Sequence, residues 1–332
     1  MTTIKDVAKL AEVSVSTVSI VINGHGKERK IPDTTIQKVM NAVNELNYRP
    51  NINARRLRST KSNLLFALYW PLDSRTNMLA TLLSGFQQII DNKKLHCELI
   101  VKTYNTDHIQ YSFQDVLNNT YDGVIIGGCT QLDLDYLETI KTNTPVLLLN
   151  RSSKAHTTVS VEVEEIVQAL LKIIDPQKSL HIIASNQPFF MANQRTSAFI
   201  ESCTQSGYSI SKIHHTQNSF EGGIEIAKEI GSQKNIQIYC EDDRIALGML
   251  YQFNRMHVQI PKDISIFSLN YTDEHYTKYS TPALTTVDIP SKEIVSKAVD
   301  YIYQASLNNK KQISHICIKP VLCLRESTYS DQ

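Results

Sequence analysis

At 332 residues, 42% hydrophobic and 20% charged, the chain has room for two or three domains with sizeable cores, and it shows no low-complexity segment or short-period repeat. Its net charge of +1 is unevenly spread: residues 1–61 hold 11 Lys/Arg against 5 Asp/Glu, and the rest holds 23 against 28, so a basic head of net +6 precedes a body of net −5. That asymmetry points to nucleic acid at the N-terminus. Cys97, Cys129, Cys203, Cys240, Cys317 and Cys323 show no CxxC or Cys/His metal spacing and read as reduced core residues of a cytoplasmic protein. The polar start MTTIKD and the lack of a membrane-length apolar run argue against secretion and membrane insertion.

In chain order, Ile4, Val7, Ala8 and Ala11 recur at helical spacing, as do Val15, Val18, Val21 and Ile22. Glu12-Val13-Ser14 separates the two runs, and Ser14 is a good N-cap for the second. So tight a link predicts a helix-turn-helix, with Ser14, Ser16, Thr17 and Ser19 making the second helix hydroxyl-rich. A basic loop over 24–30 follows. Pro32-Asp33 then starts a third helix, with an apolar stripe of Ile36, Val39, Met40, Val43 and Leu46. Pro50 ends it, because the residue before proline is pushed out of the helical region.

The runs IKDVAKLAEVSVSTVSIVING and NELNYRPNINARRLRSTKS resemble the N-terminus of the lactose repressor (LacI/GalR) family of bacterial transcription regulators. Tyr48, Pro50, Asn51, Ala54 and Leu57 match the family's hinge pattern in register. The resemblance implies DNA contacts from Thr3, Ile4, Val15, Ser16, Thr17, Ser19, Asn23, Tyr48, Asn51, Ala54 and Leu57, with Leu57 as a wedge in the minor groove. Three departures stand out. Glu12 replaces the usual Gly at a left-handed turn position, Ile20 replaces a common Arg, and the loop over 24–31 is longer and more basic.

Beyond a polar joint near residue 61, strand-like and helix-like runs alternate. Leu64–Trp70, Cys97–Val101, Gly123–Ile126 and Val146–Leu149 form one strand series, and Leu180–Ala184, Ile210–His214, Ile236–Cys240 and Ile264–Leu269 a second. Alternation of this kind predicts two parallel, doubly wound α/β layers with a cleft at the carboxyl ends of their strands. The stretches EDDRIALGML, TPALTTVDIP and LCLREST carry the family resemblance to the C-terminus. It implies a periplasmic-binding-protein-like effector domain over 62–332, behind a head of 1–61. Its N-subdomain is about 62–159 and 289–319, and its C-subdomain about 160–288 and 320–329. Gln177-Lys178-Ser179 and Ser268-Leu269-Asn270 depart from the family pattern there.

No Walker loop, GxGxxG, HExxH or GxSxG occurs, so no cofactor, metal or catalytic constellation is expected. Gly127-Gly128 reads as a plain tight turn, and Asp242-Asp243 as a helix start with acids in its first turn. Against the family pattern, Arg195 lines up with the arginine that clamps the ligand, Asn270 with a ligand-binding Asp, and Phe220 with an aromatic wall. Asn150 ends a strand where polar pocket groups sit. Trp70, Asp73 and Asn77 follow the first strand, and Asp242 completes the effector candidates. An amide in place of Asp frees the Arg195 fork for a charge-assisted bond, so the expected effector is a sugar derivative bearing a phosphate or carboxylate, with a neutral sugar as runner-up. The chain is thus expected to be a homodimeric repressor that reads a pseudo-palindromic double-stranded operator and answers to a sugar or sugar derivative. A sugar-acting enzyme or a solute-binding protein with an accessory DNA-binding head is the alternative.

Overall fold

A computed structural model describes residues 4–22, 24, 26–46, 63–73, 75–186, 190–231, 233–271, 274–308 and 312–329. The chain divides into two compact units, Met1–Ser62 and Asn63–Gln332.

The first unit packs α1 (Ile4–Leu10), α2 (Val15–Ile22) and α3 (Asp33–Glu45) around Val7, Ala8, Ala11, Val18, Val21, Val39 and Ala42. Ser14 caps α2: its hydroxyl accepts the Thr17 N–H at 3.1 Å and sits 2.9 Å from the Thr17 hydroxyl. Glu12 takes φ 53, the left-handed conformation a three-residue turn demands, at a strain of roughly 1 kcal/mol for a residue with a Cβ. Pro32 stands as the N-cap of α3, and its carbonyl accepts from the Thr35 and Ile36 N–H groups. One expectation fails here. Met40 is 39% exposed, and Ala42 takes the inward place beside Val39. The inward stripe therefore runs through Ile36, Val39, Ala42, Val43 and Leu46, and Met40, one position on from Val39, is turned about a hundred degrees away.

The second unit opens on β1 (Leu64–Pro71). Its residues are apolar throughout because both faces are covered. Phe66, Leu68 and Trp70 enter one core, while Leu65, Ala67 and Tyr69 enter another. Then come α4 (Thr76–Lys93), β2 (Cys97–Tyr104), a 3-10 turn (Ile109–Tyr111), α5 (Gln114–Leu117), β3 (Gly123–Ile126), α6 (Gln131–Thr139), β4 (Val146–Leu149) and β5 (Thr157–Val161). After α7 (Val163–Leu171) the chain enters a second series. It comprises β6 (Ser179–Ser185), α8 (Phe190–Gln205), β7 (Ile210–Thr216), α9 (Phe220–Ile230), β8 (Ile236–Cys240), α10 (Asp243–Arg255), β9 (Ile264–Asn270), α11 (Glu274–Lys278) and β10 (Thr285–Asp288). Finally α12 (Ser291–Asn308) and β11 (His315–Ile318) return to the first sheet, and β12 (Val321–Cys323) closes the second.

Among the described residues, each sheet has six strands. One runs β11-β5-β4-β3-β1-β2 and the other β12-β10-β9-β8-β6-β7. The chain therefore crosses between sheets three times, after β5, β10 and β11. All pairings are parallel but one: β10 and β12 are antiparallel. This departs from an all-parallel expectation for a topological reason. β10 carries the chain out of the second sheet, and β12 carries it back in. A second departure is Cys317, expected in a core but exposed on the edge strand β11; Cys129, Cys203 and Cys240 are buried.

Candidate functional site

Two regions gather chemistry. In the first unit, Ser16 is exposed and Ser19 and Ile20 are half-buried on α2, so positions 16, 19 and 20 share one helix face by their spacing. Thr17 is committed in part to the Ser14 cap, and Val15 and Ile4 pack against the core rather than standing clear of it. Thr3, Asn23, Tyr48, Asn51, Ala54 and Leu57 lie outside the described residues.

In the second unit, a cleft of about 980 Å³, its open mouth included, lies at the carboxyl ends of strands from both sheets. Apolar walls come from Trp70, Met78, Leu82, Leu149, Met191 and Ile294. Four arginines, Arg75, Arg151, Arg195 and Arg244, also line it, with Asp242 as the carboxylate on its surface.

Each guanidinium is held by its own local structure. After β1, Arg75 donates from its backbone N–H to Asp73 Oδ1 at 2.9 Å and forks onto the same carboxylate through Nε and Nη2. Its Nη2 also donates to the Gly128 carbonyl at 2.7 Å. After β8, Arg244 repeats the device: its N–H and Nε donate to Asp242 Oδ1, and its Nη2 to Oδ2, all at 2.9 Å. After β4, the buried Arg151 donates through Nε to the Cys129 carbonyl at 2.8 Å and through Nη1 to the Asn150 carbonyl at 2.7 Å. On α8, Arg195 is 2% exposed; Nη1 donates to the Tyr271 hydroxyl at 2.9 Å, and Nε and Nη2 are buried with no hydrogen-bond partner. Trp70 Nε1 and Asn218 Oδ1 are orphaned in the same way.

Glycine makes the cleft possible at Gly127. A Cβ there would stand 2.6 Å from the Trp70 ring, so this strand end cannot carry a side chain without moving the indole. Gly128 takes φ +70, which turns its carbonyl to Arg75. The turn read as plain in the sequence is thus part of the wall. Asn150 is also left-handed, at φ 50, and its Oδ1 accepts the Val161 N–H at 3.3 Å. Titration follows this packing. Burial lowers the Arg151 pKa, and the neighbouring charges of Arg75 and Arg195 press it the same way. The Asp242 carboxylate raises that of Arg244. Behind Arg195, burial pushes Glu241 up to about 7, although the Thr196 hydroxyl donates to it at 2.9 Å.

Of the expected effector residues, Trp70, Asn150, Arg195 and Asp242 meet on the cleft, and Asp73 stands one bond behind through Arg75. Asp242 serves both readings, since it also N-caps α10. Asn270 does not line the cleft. Strand alternation buries Phe267 and Leu269 in one core and Ile264 and Ile266 in another, and position 270 shares the second face, which leaves Tyr271 at the cleft. Phe220 is also outside it: the residue is 40% exposed and its ring packs at a tilt against Tyr251, 5.7 Å between centroids. The side chain of Asn77 lies outside the described residues. Sequence reasoning missed Arg75, Arg151, Arg244, Asn218 and Tyr271. A signal existed for two of them, a repeated Asp-x-Arg directly after a buried strand run, at 73–75 and 242–244.

Residues 3–51 match the family of bacterial regulatory proteins, lacI family, and residues 178–328 a periplasmic binding protein-like domain. The chain is 26% identical to the ribose operon repressor of Haemophilus influenzae and 28% to the HTH-type transcriptional repressor PurR of Pasteurella multocida, over 99% of each chain. It is 26% identical to the probable repressor ExuR of Bacillus subtilis, over 89% of this chain and 88% of that one. Among solved structures, a LacI family transcription regulator from Clostridium acetobutylicum superposes with a TM-score of 0.72 at 28% identity, covering 79% of this chain and 99% of that chain. The lac repressor dimer bound to operator also reaches 0.72, at 20% identity over 99% of each, and supports the fold alone.

Proposed function

The chain belongs to the lacI family of bacterial regulatory proteins, and from that premise we propose that it is a dimeric, operator-binding transcriptional repressor controlled by a small sugar-like ligand in the cleft. The observation that carries this reading is the union in one chain of a basic helix-turn-helix with a cleft holding buried, unpartnered donors on Arg195 and Trp70. Helix α2 enters the major groove and presents Ser16, Ser19 and Ile20, with Val15 at its N-terminal end. The two heads of a dimer read a pseudo-palindrome. Leu57 wedges into the minor groove between the half-sites.

The cleft lies where both sheets contribute, so a ligand gripped by Arg195 and Asp242 on the second sheet's side and Asn150 on the first closes one against the other. Such a closure changes the spacing of the two heads and hence their fit to the half-sites. Among the described residues no helix is long and apolar enough to cross a membrane. The test is binding of the full chain to duplexes from the DNA beside its own gene. A specific site bound roughly a thousandfold or more above random duplex is expected. A flat preference across all duplexes would overturn the reading.

A further inference from the structure

The helix placed to enter the groove carries no charge. Helix α2, VSTVSIVI, has neither an acidic nor a basic residue, and Ile20 stands where the family commonly has Arg. Affinity for duplex DNA comes in large part from cations set against phosphates. That part of the grip must therefore come from outside α2. Among the described residues of the head, the basic side chains are Lys5 and Lys9 on α1, Lys38 on α3, and Lys27, Arg29 and Lys30 in the turn between α2 and α3. Half of them sit in that one turn, against the single acid Glu28, and all three are exposed.

The turn has a fixed form. Gly26 is buried where the last turn of α2 meets the first of α3: a Cβ there would stand 2.9 Å from Ile36 Cδ1 and 3.8 Å from Val21 Cγ2. The Ile31 N–H donates to the Gly26 carbonyl at 2.9 Å, and the Lys30 N–H to the Lys27 carbonyl at 3.0 Å. Ile31 then packs on the core of the head. Residues 27–30 thus make a short closed loop, pinned at both ends, with its cations in solvent. Lys30 takes φ 55, a left-handed place that glycine fills without steric strain. A lysine kept at a strained place is an outlier that asks for a function. Position completes the case. Eight helical residues span about 12 Å, and the major groove is about 12 Å wide. A chain leaving the end of α2 therefore emerges at a wall of the groove, and that wall is phosphate.

Resting on the reading of the head as an operator-binding module, we propose that Lys27, Arg29 and Lys30 form a phosphate clamp, which grips the DNA backbone at the edge of each half-site and holds α2 in register. Reading and holding are then divided between neighbouring segments. The uncharged α2 contributes base contacts, and the turn contributes affinity that does not depend on sequence.

The test is a salt series with the full chain, on a duplex selected from a random pool and on random duplex. Each cation that meets a phosphate contributes roughly 0.9 to the log–log slope, and a dimer carries each twice. The triple variant Lys27→Gln, Arg29→Gln, Lys30→Gln should therefore flatten the slope by up to about 5. It should weaken binding to both duplexes by a similar factor, at least about tenfold, and still select the same site. Lys30→Gly controls for folding. It removes a cation and the left-handed strain together, so the head should melt no lower than wild type while DNA affinity still falls. Neutral methylphosphonates at the phosphates flanking the half-site should weaken the wild type and leave the triple variant nearly unchanged. A wild-type slope in the triple variant would overturn the clamp. So would selection of a different site, because a phosphate contact carries no sequence. A wild-type chain with no salt-dependent grip on any duplex would overturn the operator-binding reading as well.

Discussion

Glu241 is 1% exposed and sits one residue before the cleft carboxylate Asp242. Burial raises its pKa to about 7 from an ordinary 4.5, with Asp242 adding to the rise and the Thr196 hydroxyl and Ser185 backbone opposing it. The folded state thus holds a proton that the unfolded chain has released between those two values, so stability falls as pH rises through that window and is level above it. Glu241→Gln should remove this slope and raise the melting temperature at pH 8 relative to wild type, a gain on the order of 2 kcal/mol. Melting curves from pH 5 to 8 check it, and an unchanged slope in the variant would refute it. At the same scale, the candidate site was partly legible. Arg195 and Trp70 could be read because one matches a family position and the other closes a buried strand. Arg75 and Arg244 carried a signal only in the repeat of Asp-x-Arg after two buried strands, since a single such pair in sequence looks like any surface ion pair. Only the topology turns both into cleft walls. Asn270 shares its strand face with Ile264 and Ile266, an orientation that the family position alone does not give.

Helix α2 is short, eight residues, so its start matters more than its length. The Ser14 hydroxyl bonded to the Thr17 N–H is therefore expected to hold the head together, and Ser14→Ala should destabilise residues 1–62 by about 1 kcal/mol. Circular-dichroism melts of the two forms measure it; identical melts would deny the cap its role. The hinge makes a separate prediction. Leu57→Ala should lower the ratio of specific to non-specific binding and leave non-specific binding nearly intact, since a wedge acts only at a site that can be kinked. A competition assay showing an unchanged ratio would rule out the wedge. Elements were the most legible level of this chain. The repeated apolar runs from Leu64 and from Leu180 marked both sheets, because strands buried on two faces cannot hide their composition. The short edge strands β11 and β12 and the return of α12 to the first sheet depend on long-range crossings that no local pattern records, and only the family resemblance implied them, through subdomain bounds of about 289–319 and 320–329.

For the whole molecule, the division of labour is the claim that matters: a basic head carries affinity for DNA, and an acidic body carries the ligand. The head holds the excess charge, net +6 in residues 1–61, so its grip on phosphate should release counterions and depend steeply on salt, with a log–log slope of roughly −0.9 per phosphate contact. The body, at net −5, should contribute little to that slope. The most direct measurement is selection from a random duplex pool with the full chain and, in parallel, with the 63–332 fragment, each enriched pool then titrated across a salt series. The full chain should enrich a two-half-site pseudo-palindrome, bind it as a dimer and lose affinity steeply with salt, while the fragment enriches nothing. A fragment that still selects and holds the same site, or a full chain that enriches no site at all, would contradict the account.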